Sequence, residues 1–291
     1  MHVRRVLFAV LLALTPTLVC AQEKLRAVAT FSILADLVHE VAGDRIALTT
    51  LVGPNGDAHV YQPTPQDAKN MAQAQIIFVN GLKFEGWMDR LIEASGAKGA
   101  LVTASAGVRP IEGEGRRADP HAWQDIANAK IYVANIRGGL IAADPAGRAA
   151  YEANAAAYLV KLDLLELEVR AAVAAIPAGR RKIITTHDAF GYFGRAYGMS
   201  FIAPQNVSTE AEASANDVAK IIRQIRAEKI PAVFLENVTD TRLIATIARE
   251  SGARIGGKVF SDALSEAGGP AATYLDMMRG NIRAFSAALG V

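Results

Sequence analysis

The sequence predicts an α/β fold with two β/α halves of parallel sheet, joined by one long helix. Three observations carry that prediction. Short strand-like and helix-like segments alternate through the first half of the chain, and the same alternation restarts in the second half. Alternation of this kind builds parallel sheets. Between the halves, Pro145 to Ile176 has one Gly, no interior Pro, and a composition dominated by Ala, Leu, Glu and Arg. These are strong helix formers. A helix of about 30 residues runs roughly 45 Å at 1.5 Å per residue, long enough to touch both halves. The expected organisation is a signal peptide over residues 1–21, a first lobe over 22–144, a linking helix over 145–176 and a second lobe over 177–291.

Each element has its own warrant. Leu25–Phe31 (LRAVATF) is a strand. Ser32 then stands as the N-cap of an amphipathic helix through Val41, with Gly43 as its stop. Ala47–Val52 is a second strand. Pro65–Ala74 is a helix capped by Thr64, since Thr is favoured as a cap and Pro at the first helical position. Gln75–Asn80 (QIIFVN) is short, β-branched and of buried type. A helix follows over Glu85–Ser95, then a strand over Ala100–Thr103. Residues 112–120 (EGEGRRADP) carry Gly, Pro and charge without apolar period, and read as a loop. An Asn- and Ala-rich helical stretch leads into the long helix, which ends at Pro177-Ala178-Gly179. The second half reads as strand Lys182–Thr186, helix Ala189–Tyr197, strand Ser200–Ala203, helix 213–228, strand Ala232–Glu236, helix Arg242–Ser251, strand Arg254–Phe260 and a closing helix from about Ala271.

The first residues read as a secretory signal. Arg4 and Arg5 precede an apolar stretch from Val6 to Leu14, and Val19-Cys20-Ala21 supplies a cleavage site before Gln22. The stretch is shorter than the roughly 20 residues a transmembrane helix needs. No second hydrophobic span follows, so the expected product is a soluble periplasmic protein. Cys20 sits where a lipid-attachment Cys would sit, but Val19 stands where a small residue should precede it. A lipid anchor is therefore not expected.

The precursor has 31 Lys+Arg against 29 Asp+Glu. The signal removes Arg4 and Arg5 and no acid, leaving 29 of each. That balance excludes nucleic acid as the expected partner, because phosphate binding wants a basic surplus. The one Cys leaves with the signal as well. Neither a disulfide nor a thiolate ligand is expected in the mature chain.

Four histidines remain: His39, His59, His121 and His187. Three follow strands in loop-like contexts: His59 in GDAHVYQP, His121 in DPHAW, and His187 at the end of KIITTH. Asp262 in FSDAL follows the last strand in the same way. Each half supplies two of these four. Neutral imidazole is a good donor for Zn²⁺ and other borderline ions, and a carboxylate adds charge neutralisation. Four such donors satisfy tetrahedral Zn²⁺. Their separations of 62, 66 and 75 residues place each on a different element, so both halves would close on one ion. His39 lies inside a helix and is assigned no role. Asp262 alone serves equally well as a helix N-cap. Glu236, ending a buried strand in FLEN, is a candidate partner to a ligand His or a lobe-closing ion-pair residue. Trp87 and Trp123 read as core. A hydrolytic metal enzyme would use a similar donor set with one position open to water. The chain has neither H-E-x-x-H nor G-x-S-x-G, so no catalytic residue is assigned and no enzyme is expected.

Long motifs in a fixed order add a further reading. GDAHVYQPTPQDAKNMAQAQIIFVNGLKFEGWMDRL (Gly56–Leu91), DPHAW, THDAFGYF and FSDAL resemble the solute-binding proteins of zinc and manganese ABC importers, the ZnuA/TroA-like cluster A-I. The resemblance covers nearly the whole mature chain. It implies two lobes of four-stranded parallel sheet bridged by a rigid helix, and metal ligands at His59, His121, His187 and Asp262. It also implies docking on a membrane permease whose ATPase is a separate chain. A metallochaperone is a further candidate partner, and a delivery protein is expected to be a monomer. One departure matters. Many zinc-importing members carry a His- and acid-rich loop between the first two ligands, whereas residues 60–120 here contain no His. Manganese-type members often place a carboxylate at the third ligand, where this chain has His187. Three imidazoles and one carboxylate suit Zn²⁺ as the expected ion, with Mn²⁺ or Fe²⁺ as alternatives. An adhesin on the same scaffold is the remaining alternative.

Overall fold

The structure, a computed structural model, describes residues 23–112 and 118–290. The expected signal peptide and Cys20 lie outside the described residues, as does the middle of the 112–120 loop.

The first half contains β1 (Leu25–Phe31), α1 (Ser32–Ala42), β2 (Ile46–Val52), α2 (Pro65–Gln73), β3 (Ile76–Val79), α3 (Met88–Ser95), β4 (Ala100–Thr103) and α4 (Ile126–Ala143). After α5 (Arg148–Ala175) the second half contains β5 (Lys182–Ile184), α6 (Gly191–Tyr197), β6 (Ser200–Ile202), α7 (Ala215–Glu228), β7 (Ala232–Glu236), α8 (Thr241–Ser251), β8 (Arg254–Val259) and α9 (Tyr274–Leu289). The two sheets are all parallel and share one order, β2-β1-β3-β4 and β6-β5-β7-β8. In each, the chain leaves the first strand in one direction and returns across it to continue in the other. A crevice forms at the carboxyl ends of the strands where that reversal occurs, the usual ligand position in open α/β sheets.

Helix α5 is 28 residues long, about 42 Å. It is shorter than the predicted segment because Pro145–Gly147 forms a 3-10 turn, with Asp144 accepting from the Gly147 N–H. Its buried residues Tyr151, Ala155, Tyr158, Leu162, Leu165, Val169 and Val173 recur every three or four positions and form one stripe. That stripe belongs to a core that runs through both lobes and takes in Phe78 and Trp123 from the first and Phe193, Phe234 and Phe285 from the second. A smaller cluster around Ile184, Ile221 and Ile244 lies under α7 and α8.

Two local expectations differ from the structure. Thr64 caps α2 through a full capping box with Asp67, as its sequence position predicts. Ser32, however, is the first residue of α1 and not its cap. Its hydroxyl accepts instead from the Leu264 N–H at 2.9 Å, 232 positions along the chain. The helix expected from Glu85 begins at Met88, because the Glu85 carboxylate turns back to accept from the Asn80 N–H at 2.6 Å and the Thr30 hydroxyl at 2.6 Å. Both exceptions spend a local helix signal on a tertiary hydrogen bond.

Candidate metal centre

His59 sits on the loop after β2. Gly56 is required there, because a Cβ would come within 2.7 Å of the Val52 side chain. Asp57 Oδ1 accepts from the His59 N–H at 2.9 Å, and Trp87 Nε1 donates to the Ala58 carbonyl at 2.8 Å. The imidazole packs edge-on against Phe84, with centroids 4.8 Å apart.

His121 follows the polar loop. Asp119 Oδ1 accepts from the His121 N–H at 2.9 Å and pairs with its Nδ1 at 2.8 Å, which turns Nε2 toward the lobe interface. Trp123 Nε1 and Gln124 Nε2 both donate to the Ser261 carbonyl, at 3.0 and 2.9 Å. The His121 loop is thereby tied to the Asp262 loop across the cleft.

His187 lies just past β5. Glu236, the last residue of β7, accepts from the backbone N–H groups of Thr186 at 2.6 Å and His187 at 3.0 Å through Oε1. Its Oε2 pairs with His187 Nδ1 at 2.5 Å and accepts from the Ser261 hydroxyl at 2.9 Å. One carboxylate thus holds the segments that carry His187 and Asp262. The alternative use of Asp262 as a helix cap does not hold. It lies in an irregular segment, and the next helix starts at Tyr274 with Thr273 as its cap.

The four candidate ligands meet at one point. His59 Nε2 is 3.2 Å from His121 Nε2, which is 3.4 Å from His187 Nε2. Asp262 Oδ2 is 3.3 Å from His59 Nε2 and 3.1 Å from His187 Nε2, and Oδ1 is 3.4 Å from His121 Nε2. All four donor atoms lie within 4.8 Å of one another, and all four residues are buried. Neither oxygen of Asp262 has a hydrogen-bond partner. A buried carboxylate is costly unless positive charge faces it, and here only the imidazole nitrogens do so within 3.4 Å. Three imidazole nitrogens and one carboxylate gathered this closely are a donor set that Zn²⁺ accepts.

The electrostatics follow from burial and crowding. Burial opposes charge on His121, but Asp262 and Asp119 outweigh it and raise its pKa to about 9. Burial also opposes charge on His187, and Glu236 and Asp262 overcome it, raising the pKa well above the usual value. For His59 burial prevails, with added repulsion from the other two imidazoles, and its pKa falls. Burial would raise Asp262, but His187 and His121 hold it well below the ordinary carboxylate range. Without a cation, the Asp262 carboxylate and the imidazoles of His121 and His187 favour one another's charged forms. His39 is exposed on α1, away from this cluster.

Sequence reasoning missed Asp119, Ser261 and Gln124. Asp119 left a faint signal, an acid two residues before a candidate ligand. Ser261 and Gln124 left none, since each acts across the lobe boundary. The two tryptophans are buried as predicted, at 2% and 0% exposed for Trp87 and Trp123, but their indole N–H groups also fasten two of the loops.

Residues 27–288 match the family described as "Zinc-uptake complex component A periplasmic". The chain belongs to this family. It is 35% identical over 268 residues to the manganese-binding lipoprotein MntA of Halalkalibacterium halodurans, covering 92% of this chain and 89% of that protein. It is 34% identical to the iron ABC transporter substrate-binding lipoprotein MtsA of Streptococcus pyogenes serotype M1, covering 94% and 92%. Among solved structures, the periplasmic zinc binding protein TroA of Treponema pallidum superposes with a TM-score of 0.89 at 32% identity, over 92% of this chain and all of that one. A Mn-bound periplasmic metal binding protein from Candidatus Liberibacter asiaticus gives 0.82 at 30% identity, over 90% and 98%. The protein is the substrate-binding component of a metal ABC transporter, and its family is one of solute-binding proteins that work with a membrane permease and an ATPase.

The comparisons correct one expectation. Relatives including MntA, PsaA, FimA and MtsA are named as lipoproteins. The expectation of an unanchored periplasmic protein therefore does not stand, although export does. Val19 before Cys20 is too slight a ground to set a lipid anchor aside when these relatives are named as lipoproteins.

Proposed function

We propose that this protein carries one Zn²⁺ as cargo, held by His59, His121, His187 and Asp262 between a first lobe at 22–144 and a second at 177–291. The observation that carries the reading is the buried Asp262 carboxylate facing three imidazole nitrogens at 3.1–3.4 Å. Three borderline nitrogens and one oxygen favour Zn²⁺ over Mn²⁺, which prefers more oxygen. The Irving–Williams order favours Zn²⁺ as well. Glu236 and Asp119 orient His187 and His121 through their Nδ1 atoms, the outer-shell arrangement common to metal-bound histidines.

A second reading has its own support. Both oxygens of Asp262 face the imidazoles, so a bidentate carboxylate would make a three-nitrogen, two-oxygen set better suited to Mn²⁺ or Fe²⁺. Several relatives are named for those ions.

The test is metal content and competition on chelator-stripped protein reloaded with Zn²⁺, Mn²⁺ and Fe²⁺. One Zn²⁺ per chain that excess Mn²⁺ does not displace supports the first reading. Stoichiometric Mn²⁺ or Fe²⁺ with little retained Zn²⁺ supports the second.

A further inference from the structure

We propose that residues 207–210 of the second lobe form a strap over the His59 edge of the metal centre, that the Thr209–Asp57 hydrogen bond latches it, and that the cargo ion enters and leaves beneath it. The inference deepens the cargo reading and rests on it. His59 keeps an accessible edge, with 4% of its side chain exposed against 0% for His121, His187 and Asp262. A cavity of about 550 Å³ borders that edge. Leu82 and Phe84 wall it from the first lobe, and Val207, Ser208 and Glu210 from the second. The other three ligands do not line it.

The two walls are built differently. On the first lobe, the Glu85 carboxylate accepts from the Asn80 and Gly81 N–H groups at 2.6 and 3.3 Å. The chain then runs through φ of 85°, 53° and 61° at Gly81, Leu82 and Lys83. Side chains other than glycine rarely adopt that region, so two in succession mark a backbone fixed by its surroundings. The turn ends at Phe84, whose ring packs edge-on against His59. This wall stays in place. The second-lobe wall lies outside any helix or strand. It crosses the cleft at two points. The Thr209 hydroxyl donates to Asp57 Oδ2 at 2.6 Å, and Asp57 Oδ1 accepts from the His59 N–H at 2.9 Å. Glu210 reaches over Gly86, where a Cβ would stand 3.8 Å from its Oε1. A hydrogen bond to a carboxylate is stronger than a neutral one, yet its net strength in water is modest, so the latch can open. Opening frees Asp57 and with it the His59 backbone. The strap admits the ion at His59, and movement around Asp262 completes its capture. Thr209 and Asp57 are therefore positioning residues that act on the ion through His59.

The test uses the full chain loaded with Zn²⁺ and verified for one Zn²⁺ by elemental analysis. Stopped-flow mixing with a chromophoric chelator reads release, and mixing metal-free protein with the zinc-loaded chelator reads uptake. Thr209→Val keeps the side chain's shape and removes the donor. It speeds uptake and release alike by about tenfold and leaves the equilibrium affinity within about threefold, because an easier gate acts equally in both directions. Thr209→Ser restores both rates. In metal-free protein, amide hydrogen exchange over residues 57–59 also quickens by about tenfold in Thr209→Val and returns to the wild-type rate in Thr209→Ser. Faster release with unchanged uptake marks a merely structural role and overturns the proposal. Unchanged rates or unchanged exchange in Thr209→Val overturn it as well. A wild type that takes no stoichiometric Zn²⁺ defeats the cargo reading, while the exchange comparison on metal-free protein still decides the strap.

Discussion

At the scale of residues, the candidate site is three imidazoles and a carboxylate whose geometry is set by the groups that hold them. Glu236 and Asp119 each fix a ring through Nδ1, at 2.5 and 2.8 Å. Loss of such a partner typically lowers metal affinity 10–100-fold, so Glu236→Gln should weaken Zn²⁺ binding by about that factor while Asp262→Asn weakens it more; competition against a chromophoric chelator measures both. The pH dependence has a definite sign. His121, raised to about 9, and His187, raised well above its usual value, favour the protonated form at neutral pH when no ion is bound. The ion requires them neutral, so binding at pH 7 releases about two protons and apparent affinity rises with pH toward about 9. Calorimetry in buffers of different ionisation enthalpy counts those protons; a count of zero would contradict the assignment. The candidate ligands themselves were legible in the sequence, as His or Asp just past a strand. Of their outer partners Glu236 was legible as the acid ending a buried strand, whereas Ser261 and Gln124 were not, because they acquire a role only when two lobes meet.

At the scale of elements, strands and helices were readable from period and caps, and the exceptions lie where an element touches another lobe. Ser32 looks like a cap and is used as an acceptor for Leu264. Glu85 looks like helix and is used to hold Asn80 and Thr30. Asp36 on α1 is a third such residue. It accepts from the first backbone N–H of α9, at Tyr274, 2.8 Å away, and burial raises its pKa from 3.8 to about 6. The folded state therefore holds this proton more tightly than the unfolded chain, and stability is lost as pH rises from about 4 to about 6. Asp36→Asn keeps an acceptor for Tyr274 and removes the charge. It should stabilise the protein at pH 8 by up to about 3 kcal/mol and have little effect at pH 3.5. Denaturant unfolding at the two pH values checks this, and equal effects at both would refute it.

At the scale of the whole molecule, the two lobes are not free bodies on a hinge. Their core is continuous along α5, and hydrogen bonds cross between them from Leu264 to Ser32, from Tyr274 to Asp36 and to the Trp123 carbonyl, and from Trp123 to Ser261. The length of α5 was legible from its uninterrupted helix formers; the shared core was not, because sequence period gives a buried stripe without saying which lobe covers it. Metal uptake should therefore proceed by local movement around Asp262, with little change in small-angle scattering between metal-free and metal-loaded protein; a large compaction would contradict this. The central claim is that both lobes supply one four-donor site. X-ray absorption at the zinc edge of the loaded protein tests it most directly. Three imidazole nitrogens and one oxygen at about 2.0 Å are expected, with one imidazole lost in His187→Ala. A longer, oxygen-rich shell of six, unchanged by that substitution, would contradict the account.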